Sequence, residues 1–237
     1  MRGQSHVVGI VLLLGITTVA LGGLTTVVGG IIDGQTATAD ERRVANALDS
    51  EFRPVEQTGS NRVRVRFSEG RVTTVDRELR VLNASGVRRE VEIGGLVYKS
   101  GANRVSLVGG AIARGAPGRA WLVRGPPMTV TRDNETLLVG VVTLGARGVT
   151  VGGSGGVTAR LRTNVTHDRT ALPRADYRIA METATPDALG RRLRERGLAT
   201  TERDIDGDGV PSVVASVEGQ QELQLVYHRT NTEVNGG

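Results

Sequence analysis

The longest uncharged segment of this chain sets the first limit on how it can fold. It runs from Val7 to Ile32, 26 residues without a charged side chain. As a helix that rises about 1.5 Å per residue it would reach roughly 39 Å, more than the roughly 30 Å thickness of a bilayer's hydrocarbon layer. The apolar region of a secretory signal peptide has only about 7–15 residues. The run therefore predicts a transmembrane helix at 7–32.

The flanking charges predict how this span lies in a membrane. Arg2 stands in the short N-terminal flank, whereas Asp33 follows the run directly. Positive charge beside a span favours the cytoplasmic side of the membrane. Residues 1–6 are therefore predicted as a short cytoplasmic leader, and the chain is predicted as a single-pass protein of the cell membrane with an extracellular C-terminal domain.

Small residues recur along the predicted span at helical spacing. Their separations of 3, 4, 3 and 4 place them on one stripe of a helix: Gly15, Thr18, Gly22, Thr25 and Gly29. Glycine in a helix costs about 1 kcal/mol relative to alanine in water, whereas in lipid small residues let a second helix approach closely. The stripe favours a span that packs against another helix, although glycine is also simply commoner in membrane helices.

The first residues add a resemblance to this pattern. Arg2-Gly3-Gln4-Ser5, followed by the valine- and leucine-rich run, resembles the N-terminus of archaeal type IV pilins and pilin-like membrane-anchored surface proteins, over about the first 35 residues. In that family a prepilin-type peptidase cuts after the glycine. The resemblance implies a cut between Gly3 and Gln4, and a retained helix that packs with other membrane or pilin helices, including copies of this chain, in a filament core. The chain differs from many members in having His6 where they have proline, and in its large outer domain.

A second processing route is encoded just after the run. Ala37-Thr38-Ala39 fits the A-x-A pattern of a signal-peptidase site, and cleavage there would release a soluble domain that begins at Asp40. A signal peptide that is cleaved off does not need a stripe of small residues for packing against another helix. The length of the run and its stripe therefore favour a mature chain that begins at Gln4 and keeps 7–32.

Composition limits the chemistry of the rest of the chain. None of the 237 residues is cysteine, which excludes a disulfide framework and a thiolate zinc site. The net charge is +5, and all 30 basic residues except Lys99 are arginine. The arginines are spread along the sequence, and aromatic residues that could stack on bases are scarce. The charge therefore predicts a solvated basic face and no nucleic-acid partner.

The apolar periodicity predicts mainly β structure after the run. Residues 33–53 have helical spacing and are predicted as a helical extension or linker. From residue 54 to 237 the period changes to two, in short runs separated by turn residues at intervals of about ten, as is typical of an antiparallel sandwich or a barrel-like sheet. Thr185-Pro186-Asp187 and Gly197 predict one inserted helix near 186–196. The predicted fold is thus an N-terminal transmembrane helix followed by a β-rich extracellular domain at 54–237.

Two short sequence patterns match residue types found in catalytic sites, but neither predicts an enzyme. Gly152-Gly153-Ser154-Gly155-Gly156 fits G-x-S-x-G, yet a nucleophile elbow needs a helix after the serine, and 157–161 has the pattern of a strand. The tract is predicted as a flexible loop. His167-Asp168 is predicted as a polar turn, since no other ligand lies at metal-binding spacing.

An aspartate-rich loop gives the best candidate for an ion site. Carboxylates at alternate positions followed by glycine resemble the calcium loops of many extracellular proteins: Asp204, Asp206 and Asp208, with Gly209. The twelfth position is Ala215 rather than glutamate, so the loop is not an EF-hand. The sequence leaves two alternatives open for this loop: a calcium site, or a solvated acidic turn without an ion. No other cofactor is predicted.

Three Asn-x-Ser/Thr sequons are glycosylation candidates: Asn83, Asn134 and Asn164. Unmodified polar turns are the alternative. Together these features favour a pilin-like structural protein, anchored in the lipid bilayer and facing outward. The second hypothesis is a membrane-anchored surface binding module, a glycoprotein that never polymerises, and the weakest is a secreted hydrolase.

Overall fold

The computed structural model describes residues 35–116, 118–131, 133 and 135–236. The predicted leader, the Gly3–Gln4 cleavage site, the span at 7–32 and its small-residue stripe lie outside these residues. Among the residues described, no helix is both long enough and apolar enough to cross a membrane. The chain divides into two compact units, residues 1–39 and 40–237.

The described chain is mainly β, as the sequence predicts. Helix α1 covers 35–51. The further elements are β1 Gly59–Val75, β2 Glu78–Asn83, β3 Gly86–Glu92, β4 Gly95–Ser100, β5 Asn103–Val108, β6 Ala111–Arg114, β7 Trp121–Arg124, β8 Met128–Val130, β9 Thr136–Leu144, β10 Thr150–Ala175, β11 Arg178–Glu182, α2 Pro186–Glu195, β12 Ala199–Arg203, β13 Ser212–Ser216 and β14 Gln221–Gly236.

The strands form two sheets. The larger has nine strands in the order β7-β6-β5-β4-β1-β10-β14-β9-β8, and the smaller has five in the order β12-β13-β11-β2-β3. The pairing departs from the predicted antiparallel arrangement at one place, because β14 runs parallel to β9. A parallel pair needs a long crossover, and the 76 residues between Leu144 and Gln221 supply it.

Two strands are much longer than the sequence predicts. Ser68–Gly70 is one of the stretches of turn residues predicted to separate short strands, but it lies inside β1 at a bulge between Phe67 and Glu69. The glycine-serine tract 152–156, predicted as a flexible loop, lies inside β10. Glycine serves close approach here rather than flexibility. A Cβ on Gly70 would lie 2.4 Å from the carbonyl oxygen of Lys99, and one on Gly152 would lie 2.7 Å from that of Gly70. Both predictions are therefore wrong, because these glycines let β4, β1 and β10 pack side by side.

Different elements cover the two faces of the larger sheet. Helix α1 buries Val44 and Leu48, and Phe52 follows directly after it, in one hydrophobic cluster with β1 and the adjoining part of β10. The smaller sheet and α2 form the second cluster with β9 and the first half of β14. On β14 the buried positions accordingly change from Leu223 and Leu225 on one face to the alternate residues from His228 onward. Residues 40–52, predicted as part of an extension or linker, thus belong to the core.

Helix α1 also closes an open strand edge. Strand β1 pairs with β10 along most of its length but with β4 only from Arg71 onward, so its first half has one free edge. Asp40, 1% exposed, accepts hydrogen bonds from the backbone N–H groups of Ser68 at 2.6 Å and Glu69 at 3.3 Å. Glu51 accepts one from the N–H of Arg64 at 2.9 Å. The helix carboxylates therefore replace the missing neighbour strand.

Candidate ion site on the smaller sheet

One buried arginine organises the polar chemistry of the smaller sheet. Arg80 lies on β2, between β11 and β3, and its side chain is 4% exposed. Its guanidinium donates to Oε1 of Glu182 and Oδ2 of Asp206, both at 2.7 Å, and to Oε1 of Glu90 at 3.2 Å. It also pairs with the carboxylate of Glu78. These five residues are called the Arg80 cluster. The four carboxyl groups supply the hydrogen-bonding and ion-pair partners that a buried guanidinium requires.

The innermost contact of the cluster is the Arg80–Glu182 pair. The Glu182 side chain, at the end of β11, is also 4% exposed. Its second oxygen, Oε2, accepts the backbone N–H of Glu78 at 2.9 Å. Both ions of this pair are thus buried and hydrogen-bonded, which is the arrangement in which removal of one partner is most costly.

The charges of the cluster depend on one another. Burial alone would lower the pKa of Arg80, but its hydrogen bonds to Glu182 and Asp206 raise that pKa above the ordinary value. The pKa of Glu78 is raised to about 7, first by a hydrogen bond with Glu90 and then by burial, and the same hydrogen bond lowers the pKa of Glu90. Of these two carboxyl groups, Glu78 therefore takes up a proton the more readily. Four carboxyl groups surround one guanidinium, so the cluster keeps surplus negative charge.

The structure brings together the three aspartates that the sequence predicts as calcium ligands. Asp204, Asp206 and Asp208 each offer an oxygen, and these oxygens lie within 4.8 Å of one another. Oxygens on opposite sides of one calcium ion, each at about 2.3–2.6 Å, are about 4.6–5.2 Å apart. The loop is also tied to itself, since the two oxygens of Asp204 accept the N–H groups of Gly207 at 2.8 Å and Gly209 at 3.1 Å. The spacing fits calcium, and calcium binding stays a prediction.

Asp206 belongs to both the loop and the Arg80 cluster. Its oxygen also lies within 4.8 Å of oxygens of Glu78 and Glu182. Partial desolvation raises the pKa of Asp206, but the hydrogen bond from Arg80, the charge of Arg80 and backbone hydrogen bonds together outweigh it, so this pKa is below its ordinary value. An ion in the loop would therefore share Asp206 with the guanidinium. The sequence analysis missed Arg80 and Glu182, because only sheet register brings residues 102 positions apart together.

Removal of calcium is expected to lower the melting temperature of the full chain, held in a neutral detergent. Calcium at 100 times its dissociation constant would add about 2.7 kcal/mol, and each kcal/mol corresponds to about 2–4 °C for a chain of this size. Asp208→Asn should abolish the response to chelator. It removes one charge but retains Oδ1, which accepts the N–H of Val210 at 2.7 Å.

The matched control for the calcium test is Glu202→Gln, which removes an exposed carboxylate of β12 outside the trio. This variant should respond to chelator as the unmodified chain does. Equal melting curves with calcium and with chelator in the unmodified chain would contradict calcium binding, and would leave the loop as an acidic turn.

The other predicted sites that the structure describes belong to neither the Arg80 cluster nor the aspartate loop. Asn83 is the last residue of β2, and its Oδ1 accepts the N–H of Ser85 in the following turn at 2.9 Å. Asn164 is exposed on β10, opposite Asn231 of β14. Asn134 lies outside the described residues. Glycosylation stays a prediction for all three. Ser154 lies within β10 rather than at a strand-to-helix turn.

His167 does not lie in a turn, contrary to the prediction. It lies in β10 directly opposite His228 of β14, and the two Nδ1 atoms are 2.8 Å apart. Nε2 of His167 is 3.2 Å from the carbonyl oxygen of Gln57. Burial and the neighbouring His167 lower the pKa of His228, against the opposite effect of a hydrogen bond to the Pro54 backbone. The prediction failed because strand pairing overrides the turn preference of a polar dipeptide.

The comparisons with known proteins give one match. A family model described as a family of unknown function (DUF7289) matches residues 2–233. No curated protein and no solved structure matches the chain. The matched range takes in the apolar run at 7–32 together with nearly all of the β-rich unit.

Proposed function

We propose that this chain, which belongs to the DUF7289 family, is a pilin-like structural protein of the cell surface, anchored in the membrane and facing outward. The observation that carries the proposal is the run of 26 uncharged residues from Val7 to Ile32, which is long enough to span a bilayer. Trimming at Gly3 by a prepilin-type peptidase would leave this helix as the anchor. The small-residue stripe would then pack it against other such helices.

A second candidate is a membrane-anchored binding module that does not polymerise. An exposed face of the β-rich unit favours it, because five arginines that make no ion pair within the described part of the chain gather there. The two candidates share the anchor and the orientation. They differ in whether the mature chain is found in filaments sheared from the cell surface.

The only lysine provides a direct test of the proposed orientation. Lys99 lies on β4 and is exposed. A membrane-impermeant amine reagent added to intact cells is expected to label the chain at Lys99, because the leader and its terminal amine would be cytoplasmic. Lys99→Arg keeps the charge and should abolish labelling. Labelling that appears only after lysis would contradict an extracellular β-rich unit.

Processing is tested on the same preparation. Mass spectrometry of the mature chain is expected to find Gln4 at the N-terminus, and Gly3→Phe should block this trimming. An N-terminus at Asp40 would instead show that the apolar run is discarded, and would overturn both the anchored and the filament proposals.

A further inference from the structure

Strand register gathers arginines that are scattered in the sequence. Arg62 lies directly opposite Arg162, and Arg64 directly opposite Arg160, across the β1–β10 pair, and Arg66 follows on the same side of β1. All five are exposed, and the residues between them are buried under α1. Because side chains alternate along a strand, the five arginines share the opposite face of the sheet. They are called the arginine face.

The charge of this face is poorly compensated. None of its five arginines makes an ion pair within the described residues. Glu233, opposite Arg162, is the carboxylate that register places beside them, whereas Asp168 further along pairs with Arg229 at 3.3 Å. Like charges placed directly opposite each other destabilise a sheet. Two such pairs side by side therefore favour a bound anion that relieves the repulsion.

The edge of the face offers a recess for such an anion. Where β1 meets α1, a groove of about 440 Å³ is lined by arginines of both elements: Arg43, Arg62, Arg64 and Arg66, with Ala47 and Glu51. Glu51 is already engaged by the N–H of Arg64, and Arg43 pairs with Asp40. Of the arginines that line the groove, the three of β1 are the ones that make no ion pair within the described residues.

The remaining side chains narrow the choice of anion. Around the arginines, the exposed residues of stretches 60–66, 158–166 and 229–235 carry amides and hydroxyls, apart from the charged Arg229 and Glu233, and none is aromatic or apolar. Single-stranded nucleic acids are bound by aromatic platforms on which bases stack. Guanidinium groups bind carboxylates and sulfates bidentately, and Asn and Thr side chains hydrogen-bond to hydroxyls. A flat face with this chemistry matches a polymer that carries both acidic groups and hydroxyls.

We propose that the arginine face binds an acidic polysaccharide. The carboxylate or sulfate groups pair with the guanidinium groups of β1 and β10, while the sugar hydroxyls hydrogen-bond to polar side chains of β10 and β14 such as Asn164 and Asn231. This interaction belongs to the β-rich unit itself. It does not depend on whether the N-terminal run is trimmed or packs in a filament.

The test measures binding of fluorescent polygalacturonate and heparin to the full chain in neutral detergent at about physiological salt. The protein is made in a host without N-glycosylation, so that Asn164 carries no glycan. Single-stranded DNA of equal total charge is the comparison polymer. Both polysaccharides are expected to bind more tightly than the DNA. Absence of polysaccharide binding, or DNA binding of equal affinity, would overturn the proposal.

Arg160→Glu separates binding from folding. It places a carboxylate opposite Arg64, so the melting temperature should rise while the affinity for polysaccharide falls by about tenfold or more. Unfolding cannot produce opposite changes in these two quantities. Arg160→Lys keeps the charge without the bidentate fork and should bind with intermediate affinity.

The matched control is Arg88→Glu, which makes the same change in net charge on exposed β3 of the smaller sheet. It should bind polysaccharide as the unmodified chain does. An equal loss of affinity in Arg88→Glu and Arg160→Glu would show that net charge alone drives binding, and would overturn the assignment to this face.

Discussion

Replacing Arg80 by methionine is expected to destabilise the folded chain by about 3–5 kcal/mol, the range found when one partner of a buried ion pair is removed. Methionine fills a similar volume but leaves the carboxylate of Glu182 buried without its cation. The loop at 204–209 would lose its link to the sheet at the same time, because Asp206 would lose the Arg80 hydrogen bond. Equilibrium unfolding in urea measures the loss as a lower midpoint with an unchanged slope.

A second substitution shows whether the loss of stability comes from the Glu182 carboxylate that is left buried without its cation. Arg80→Met combined with Glu182→Leu removes both ions, and should recover a substantial part of the lost stability. Arg203→Met, at an exposed arginine of β12, is the control and should change stability by less than about 0.5 kcal/mol. A loss below about 1 kcal/mol in Arg80→Met would contradict a structural role for the cluster.

The second large effect is expected at the covered edge of β1. Asp40→Ala leaves the N–H groups of Ser68 and Glu69 without their acceptor in a site closed by α1. Each buried donor left without an acceptor costs about 1–3 kcal/mol, so the two together predict a loss of about 2–6 kcal/mol in urea unfolding. Because an open strand edge is a template for pairing with another chain, size-exclusion chromatography should also show more self-association.

Asp49→Ala is the matched control on the same helix. Its side chain is 43% exposed, and its ion pair with Arg124 lies near the surface. It should cost less than about 1 kcal/mol and leave the chromatogram unchanged. Equal stability of Asp40→Ala and Asp49→Ala would mean that water satisfies the β1 edge, contrary to the role given to Asp40.

Local signals in the sequence were sufficient for some elements. Helix α2 begins after Thr185, at Pro186, and ends before Gly197, much as predicted. A proline in the first turn and a glycine with φ of +82° just after the helix are signals that act over one turn of chain. The predominance of β structure follows likewise from the period-two alternation, which each strand carries within itself.

Register and long-range pairing could not be predicted in this way. The Arg80–Glu182 pair and the opposed arginines of β1 and β10 depend on which strands become neighbours, and one sequence does not encode that locally. The aspartate loop was found because its three ligands are close in the chain. Its tie to Arg80 was missed because β2 precedes it by more than 100 residues. The glycines at 152–156 were misread because composition does not show whether a glycine lies in a loop or inside a strand, as Gly152 does against the backbone of Gly70.

The position of β14 has a consequence for when the protein can fold. This last strand lies inside the larger sheet, between β10 and β9, and contributes to both hydrophobic clusters. While residues 221–236 are still in the ribosome, β9 has no neighbour that joins it to β10, and neither cluster is complete. Contacts of such long sequence separation also form slowly. Folding is therefore delayed until β14 has left the ribosome, and a chain exported as proposed would stay unfolded enough to pass the translocation channel until β14 emerged.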